Sequence, residues 1–179
     1  FACLEPLVDW HIEQGTDGLV LAGTTGEAST LTKAEHVEVI RVAAQRAAGR
    51  IPVIAGTGSN STAQTIDLSR AVGELPVDGY LVVTPYYNKP TQEGLYRHFV
   101  AIADAVELPV ILYNVPGRTG VDMQTETVAR LAAHRGIIGI KEATGDLDRL
   151  QPLREACGDD FLLFSGDDAT GCEFMLQGG

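Results

Sequence analysis

Six short β-branched runs, each followed by a helix-like stretch, constrain this chain more than any other feature. They lie at residues 18–22, 51–55, 79–83, 110–112, 137–140 and 161–164, with starts 24 to 33 residues apart. That interval is the length of one strand–helix unit, and continuous apolar runs suit strands buried on both faces. The intervening stretches carry helix signals of their own. Thr32 precedes a helix over 33–48, with Glu35 in its first turn and Gly49 just past its end. Ser61 or Thr62 opens a helix to about Val72, Thr91 one over 92–106, Thr125 one over 126–134 and Asp146 one over 147–157.

Such units without a hairpin signal leave two architectures, a doubly wound sheet or a (β/α)8 barrel. No Gly-x-Gly-x-x-Gly follows the first run, which weakens the dinucleotide-binding version of the open sheet. A full barrel needs eight strands and about 250 residues. Residues 3–14 read as a helix with no strand before it, and 169–179 as a helix with no strand after it. The economical reading is an α/β fold: one partial (β/α)8 TIM barrel domain over residues 1–179, lacking its first and last strands. A six-stranded open sheet is the alternative. An open barrel exposes strand edges and leaves the wall of a site incomplete, so such a fragment is expected to be inactive or unstable alone. Phe1 is not a start methionine and the chain opens within an element, so any leader would already be gone.

Bulk properties exclude more than they assign. No run of eighteen apolar residues predicts a membrane span. The net charge of −11 argues against a nucleic-acid groove. Cys3, Cys157 and Cys172 are far apart and form no Cys-x-x-Cys pair, so neither a metal site nor a disulfide framework is expected. They read as reduced core or helix residues of a cytoplasmic protein.

The chemistry gathers at the strand ends, which form the active face of a parallel barrel. Lys141 closes the fifth run. A lysine at the end of a buried strand loses hydration, which favours the neutral amine needed to form a Schiff base with a ketone. Strand alternation places Lys141 on one face with Ile137 and Gly139, and Gly139 is expected to leave space below its side chain. A lysine snorkelling to solvent is the alternative, and Glu142 beside it reads as structural. Tyr113 closes the fourth run, where its phenol can move protons. Arg118 follows in a Pro/Gly-rich loop and is the best candidate to grip a carboxylate, although a plain surface arginine fits as well. Gly23-Thr24-Thr25-Gly26-Glu27 offers two glycines to turn backbone amides towards an anion, or a helix-capping turn. Gly56-Thr57-Gly58-Ser59-Asn60 suits a capping turn better than a site. Tyr86 and Tyr87, flanked by prolines, form a stiff loop suited to an interface, to catalysis or to both. Ser165-Gly166-Asp167-Asp168 reads as a ligand-approach turn and helix cap. The four histidines fall in helical stretches, so a catalytic histidine is not expected.

Four motifs occur in order: Gly-Thr-Thr-Gly-Glu, Pro-Tyr-Tyr-Asn, Tyr-Asn-Val-Pro-x-Arg-Thr-Gly and Gly-Ile-Lys-Glu. In this combination the chain resembles, over residues 4–179, the dihydrodipicolinate synthase/N-acetylneuraminate lyase superfamily. The resemblance implies a class I aldolase-type barrel, a homotetramer built as a dimer of dimers in the full-length protein, and no metal or organic cofactor. It implies a lyase that condenses pyruvate with L-aspartate 4-semialdehyde to 4-hydroxy-tetrahydrodipicolinate, in lysine and diaminopimelate biosynthesis. Lys141 matches the Schiff-base lysine and Tyr113 its neighbour. Thr24 and Tyr87 match the rest of a proton relay, with that second tyrosine lent by a neighbouring subunit. Thr25 matches the contact to the pyruvate carboxylate, Arg118 the contact to the aldehyde's carboxylate, and Gly166 a turn beside the substrate. Asn60, His36 and Tyr86 match an allosteric lysine site. Lys33 and Gln64 stand where strongly inhibited relatives carry His and Glu. Two rivals remain. One is an aldolase acting on a 2-keto-3-deoxy sugar acid or N-acetylneuraminate, which would share Lys141 and Tyr113 but not the pattern at Thr24, Tyr87 and Arg118. The other is a non-catalytic relative that binds a keto acid without turnover.

Overall fold

The computed structural model describes residues 2–179. Six strands alternate with helices: α1 (Leu4–Glu13), β1 (Leu19–Leu21), α2 (Lys33–Ala47), β2 (Val53–Gly56), α3 (Thr62–Gly73), β3 (Gly79–Val83) and α4 (Gln92–Ala103). Then follow β4 (Val110–Asn114), a single helical turn α5 (Pro116–Thr119), α6 (Thr125–Ala132), β5 (Ile137–Glu142), α7 (Leu150–Cys157), β6 (Leu162–Ser165) and α8 (Gly171–Leu176). Every strand pairing is parallel, and the strands lie in sequence order from β1 to β6. A doubly wound sheet reverses its order at a switch point. This sheet does not, and it is an arc of a (β/α)8 barrel.

The two sheet faces differ. On one, Val82, Val110, Leu112 and Ile140 pack with Ile40 of α2, Phe99 of α4, Leu131 of α6 and Leu153 of α7. On the other, Leu81, Ile111, Tyr113 and Val115 meet only strand and loop residues such as Ile54, Val83 and Ile138. The helices thus cover one face and the second is the barrel's inner face. No helix among the described residues is long and apolar enough to cross a membrane.

Local signals set most helix starts. Thr32 accepts from the Glu35 amide and the Glu35 carboxylate accepts from the Thr32 amide, a reciprocal cap on α2. Ser61 caps α3 and Thr91 caps α4. One expectation fails and another holds with a different first turn. Thr125 is the first residue of α6 rather than its cap, and the cap position, Gln124, makes no capping bond. Asp146 caps a 3-10 turn over Leu147–Arg149 that leads into α7. The cysteines are free, but none is in the core: Cys3 and Cys172 are exposed and Cys157 is half-buried.

The strand phase also departs from simple alternation. Val110 pairs with Ile137, but Ile111 pairs with Gly139, so Ile138 is an extra residue in β5. Ile137 therefore faces the helices, whereas Lys141 shares the inner face with Gly139. Gly139 does not make space for the lysine either. A Cβ there would lie 2.6 Å from the Leu162 carbonyl oxygen, so this glycine lets β6 approach β5.

Candidate active site

Lys141 and Tyr113 are register partners across β5 and β4. The Lys141 Nζ sits 4.6 Å from the centroid of the Tyr113 ring, a cation–π contact when the amine is charged. Tyr113 is buried and Lys141 is half-buried. Loss of hydration lowers the Lys141 pKa, and the charge of Asp168 partly opposes that shift. The space for the lysine comes from Gly166, in the turn after β6. A Cβ there would lie 2.8 Å from the Lys141 Cε and 2.7 Å from the Ala143 Cβ. The Gly166 amide donates to the Glu142 carbonyl at 2.7 Å, which holds this turn against the lysine strand.

A cleft of about 720 Å³ opens over the strand ends beside Tyr113; Lys141, behind the Tyr113 ring, is not among its lining residues. Thr24, Tyr113 and Arg118 line it, together with Tyr86, His36 and Gln64. Arg118 lies in α5, exposed; its backbone amide donates to the Val115 carbonyl at 2.9 Å, and its side chain makes no hydrogen bond or ion pair among the described residues. A guanidinium left unpaired in a cleft is ready for a carboxylate. Thr25 is exposed and is not among the lining residues. The turn at 22–27 is built differently from expectation: the left-handed residues are Ala22 and Glu27, and neither Gly23 nor Gly26 has a positive φ.

The structure does not join all the candidate relay residues. Among the described residues no hydrogen bond links Tyr113 to Thr24 or to Tyr87. Tyr87 is 89% exposed and carries φ of 73°, an uncommon conformation for a bulky residue. Next to it Asn88 ties the loop to α3's entrance by donating to the Asn60 carbonyl at 3.0 Å.

The candidate lysine-binding residues are also spread unevenly. His36 is buried with its Nε2 2.7 Å from the Gly56 carbonyl, which assigns that nitrogen the proton. Gln64 accepts from Ser59 at 3.2 Å. Lys33 is paired with Asp67 of α3 across the cleft rim. Asn60 is not a lining residue.

Sequence reasoning gave Glu142 a structural role but missed the group to which it belongs. Behind Tyr113 and Lys141, on the opposite side of the sheet, lies a polar cluster of buried Asn114 and Glu142 with half-buried Asp122 and Arg149. The only available signal was that Asn114 and Glu142 each follow a site residue directly in the chain.

The whole chain, residues 1–179, matches the dihydrodipicolinate synthetase family. It is 61% identical over 176 residues to the 4-hydroxy-tetrahydrodipicolinate synthase of Methylococcus capsulatus, covering 98% of this chain and 60% of that protein. Among solved structures, it superposes on the dihydrodipicolinate synthase of Acinetobacter baumannii complexed with pyruvate, with TM-score 0.97 and 57% identity, covering 99% of this chain and 61% of that one. The DHDPS of Cyanidioschyzon merolae with lysine bound matches with TM-score 0.96 and 45% identity over the same shares, 99% and 61%. The chain therefore spans about three fifths of the length of these proteins.

The burial of Lys141 makes a stability prediction independent of any reaction. Folding disfavours its protonated form. That penalty is absent above the ordinary lysine pKa of about 10.4, grows as pH falls below it, and is complete once pH is below the folded value. Lys141→Met is expected to raise stability at neutral pH, and its advantage should shrink as pH rises towards 10. Urea unfolding of both proteins across that range checks it. A difference that does not change with pH would show that Lys141 stays hydrated in the fold.

Proposed function

The chain belongs to the dihydrodipicolinate synthetase family, and from that premise we propose that the protein condenses pyruvate with L-aspartate 4-semialdehyde through a Schiff base on Lys141. The observation that carries this reading is the half-buried Lys141 amine, its pKa lowered, held against the ring of Tyr113, which itself lines a cleft with an unpaired arginine. The neutral amine attacks the pyruvate ketone carbon. Loss of water gives the imine, whose protonated nitrogen is the electron sink. A methyl proton leaves, and the resulting enamine forms a carbon–carbon bond to the aldehyde, whose oxygen takes up a proton. The amine of the acceptor then attacks the imine carbon, expels the Lys141 amine and closes the ring of 4-hydroxy-tetrahydrodipicolinate. No step calls for a metal or organic cofactor. Tyr113 and Thr24 carry protons on this face, Thr25 and the Gly166 turn hold pyruvate, and Arg118 grips the carboxylate of the aldehyde.

Pyruvate followed by borohydride should label the full-length protein on Lys141. The adduct found on Lys33 or Lys89 by peptide mapping would reject the assignment. In Arg118→Ala the label should persist, while kcat/KM for the aldehyde falls by about 2–4 kcal/mol, roughly 30- to 1,000-fold. Equal loss of both steps would make Arg118 structural.

Tyr87 is proposed to complete the relay of a second copy, within a tetramer built as a dimer of dimers. Its exposure and its strained backbone support a role outside its own chain. Lys141→Ala and Tyr87→Phe should each be severely impaired alone. Oligomers assembled from both should recover activity, because one site then combines an intact lysine with an intact tyrosine. No recovery in verified mixed oligomers would place Tyr87 in its own subunit's site or outside the chemistry.

Free lysine is the second proposed ligand, held weakly by His36, Tyr86, Gln64 and Asn60. Gln64 is a neutral amide where a carboxylate would pair better with an ammonium group, and Lys33 adds a cation at the rim, although Asp67 partly neutralises it. Replacing a charge-assisted hydrogen bond by a neutral one costs about 1.5 kcal/mol, or roughly tenfold in affinity. Gln64→Glu should therefore tighten inhibition about tenfold. Unchanged or weaker inhibition in lysine titrations of that variant would remove Gln64 from the site.

A further inference from the structure

We propose that the polar cluster behind Lys141 is a clasp that positions Arg118 over the imine, with Arg149 as its keystone. This rests on the Schiff-base reading above and adds residues which that reading does not use. Asn114 and Glu142 are register partners one step beyond Tyr113 and Lys141, with side chains on the opposite side of the sheet. Both are fully enclosed. The Asn114 amide nitrogen donates to Asp122 at 2.8 Å and to Glu142 at 3.1 Å, and its oxygen accepts from the Met123 amide at 3.0 Å. Arg149 donates to Asp122 at 2.8 Å and to the Met123 carbonyl at 2.7 Å. Its Nε lies 3.4 Å from Glu142, an ion pair without hydrogen-bond geometry.

These contacts have one spatial consequence. The segment that carries Arg118 leaves β4 at Asn114 and returns to Asn114 at Met123. Its outgoing end is fixed by the sheet. Its returning end is fixed by the Asn114 side chain, by Arg149, which comes from the segment following β5, and by Gln92 of α4, which donates to the Asp122 carbonyl at 2.8 Å and accepts from the Gln124 amide at 3.1 Å. Inside the loop, Thr119 donates to the Val115 and Val121 carbonyls at 3.2 and 2.9 Å. The loop is therefore closed at its base onto Glu142, the residue after Lys141. The Arg118 side chain has no partner among the described residues, so its place relative to Lys141 is set by the backbone of this loop and its base. Removing Arg149 would leave the Asp122 and Glu142 carboxylates to neutral donors, the Asn114 amide between them and the Thr144 amide on Glu142, with no cation to offset their repulsion. The loop base would loosen, with Gln92 as its remaining outside anchor, whereas Lys141 and Tyr113 would keep their backbone pairing in the sheet.

The test is a cycle in the full-length protein with Arg149→Met, Arg118→Ala and both together. It measures borohydride trapping of the pyruvate imine and kcat/KM for L-aspartate 4-semialdehyde. In Arg149→Met, imine trapping should stay within about twofold, while kcat/KM for the aldehyde falls roughly 10- to 100-fold. In the Arg118→Ala background, the same substitution should cost no more than about threefold, because the group it positions is already gone. Asp122 is 34% exposed in its side chain, so Asp122→Asn is a milder variant that decides the matter if Arg149→Met does not fold. It should show the same pattern with a smaller loss. Equal loss of imine formation and aldehyde use, or the same factor in both backgrounds, would overturn the clasp and leave the cluster a general stabiliser. Absence of any Lys141 label in the unmodified protein would instead overturn the Schiff-base reading, and the clasp with it.

Discussion

One extra residue in the pairing of β4 with β5 decides which way this site faces. Up to Val110 and Ile137 the two strands run in step, and from Ile111 the partner is Gly139. Had the pairing continued without Ile138 as the extra residue, Tyr113 would oppose Ile140 and Asn114 would oppose Lys141. Because the side-chain period in a strand is two, such a slip sends a whole set of side chains to the other face. Lys141 would then lie beneath the helices, where Glu142 now sits, and Ile140 would point into the cleft. The bulge is the device that lets one strand contribute Ile137 and Ile140 to the helix-covered core and still aim Lys141 inward.

The same arrangement separates two electrostatic environments by the thickness of one sheet. On the inner side, an amine with a lowered pKa stands against a phenol ring, with Asp168 as the charge acting on it. On the outer side, two carboxylates are held by an amide and a guanidinium. Buried charges are tolerated only when paired and hydrogen-bonded, and the outer cluster meets that condition in full except at one Arg149 nitrogen. The net charge of −11 does not prevent an anion from entering the cleft. The local charge in that cleft includes Arg118, whose guanidinium has no carboxylate partner among the described residues.

Much of the fold was legible because its signals are local. Apolar runs at strand–helix spacing, a reciprocal cap at Thr32 and Glu35, and capping hydroxyls at Ser61 and Thr91 each depend on a few neighbouring residues. Lys141, Tyr113 and Arg118 were visible for a similar reason: they are chemically unusual residues at strand ends. What was hidden depends on contacts between distant segments. The bulge at Ile138 arises from how β5 meets β4, so alternation alone put Ile137 on the wrong face. Gly139 and Gly166 look alike in sequence. One admits the β6 backbone and the other admits the Lys141 side chain, and only the neighbours distinguish them. Asp122 and Arg149 are ordinary loop residues until folding brings them together.

The glycine turn at 22–27 lines the cleft, but its backbone turns by a different route from the one its motif suggests. Gly23 and Gly26 were expected to let the backbone turn, yet the left-handed residues are Ala22 and Glu27. A left-handed non-glycine residue persists only when its surroundings over-determine it. The surroundings here are tight. A Cβ on Gly56 of the neighbouring strand would lie 2.5 Å from the Ala22 carbonyl oxygen, so that carbonyl already presses against β2. The strain at Ala22 and the missing side chain at Gly56 are therefore two halves of one contact. Together they bring the start of the Thr24 turn against the strand ends, within the same cleft as Tyr113 and Arg118.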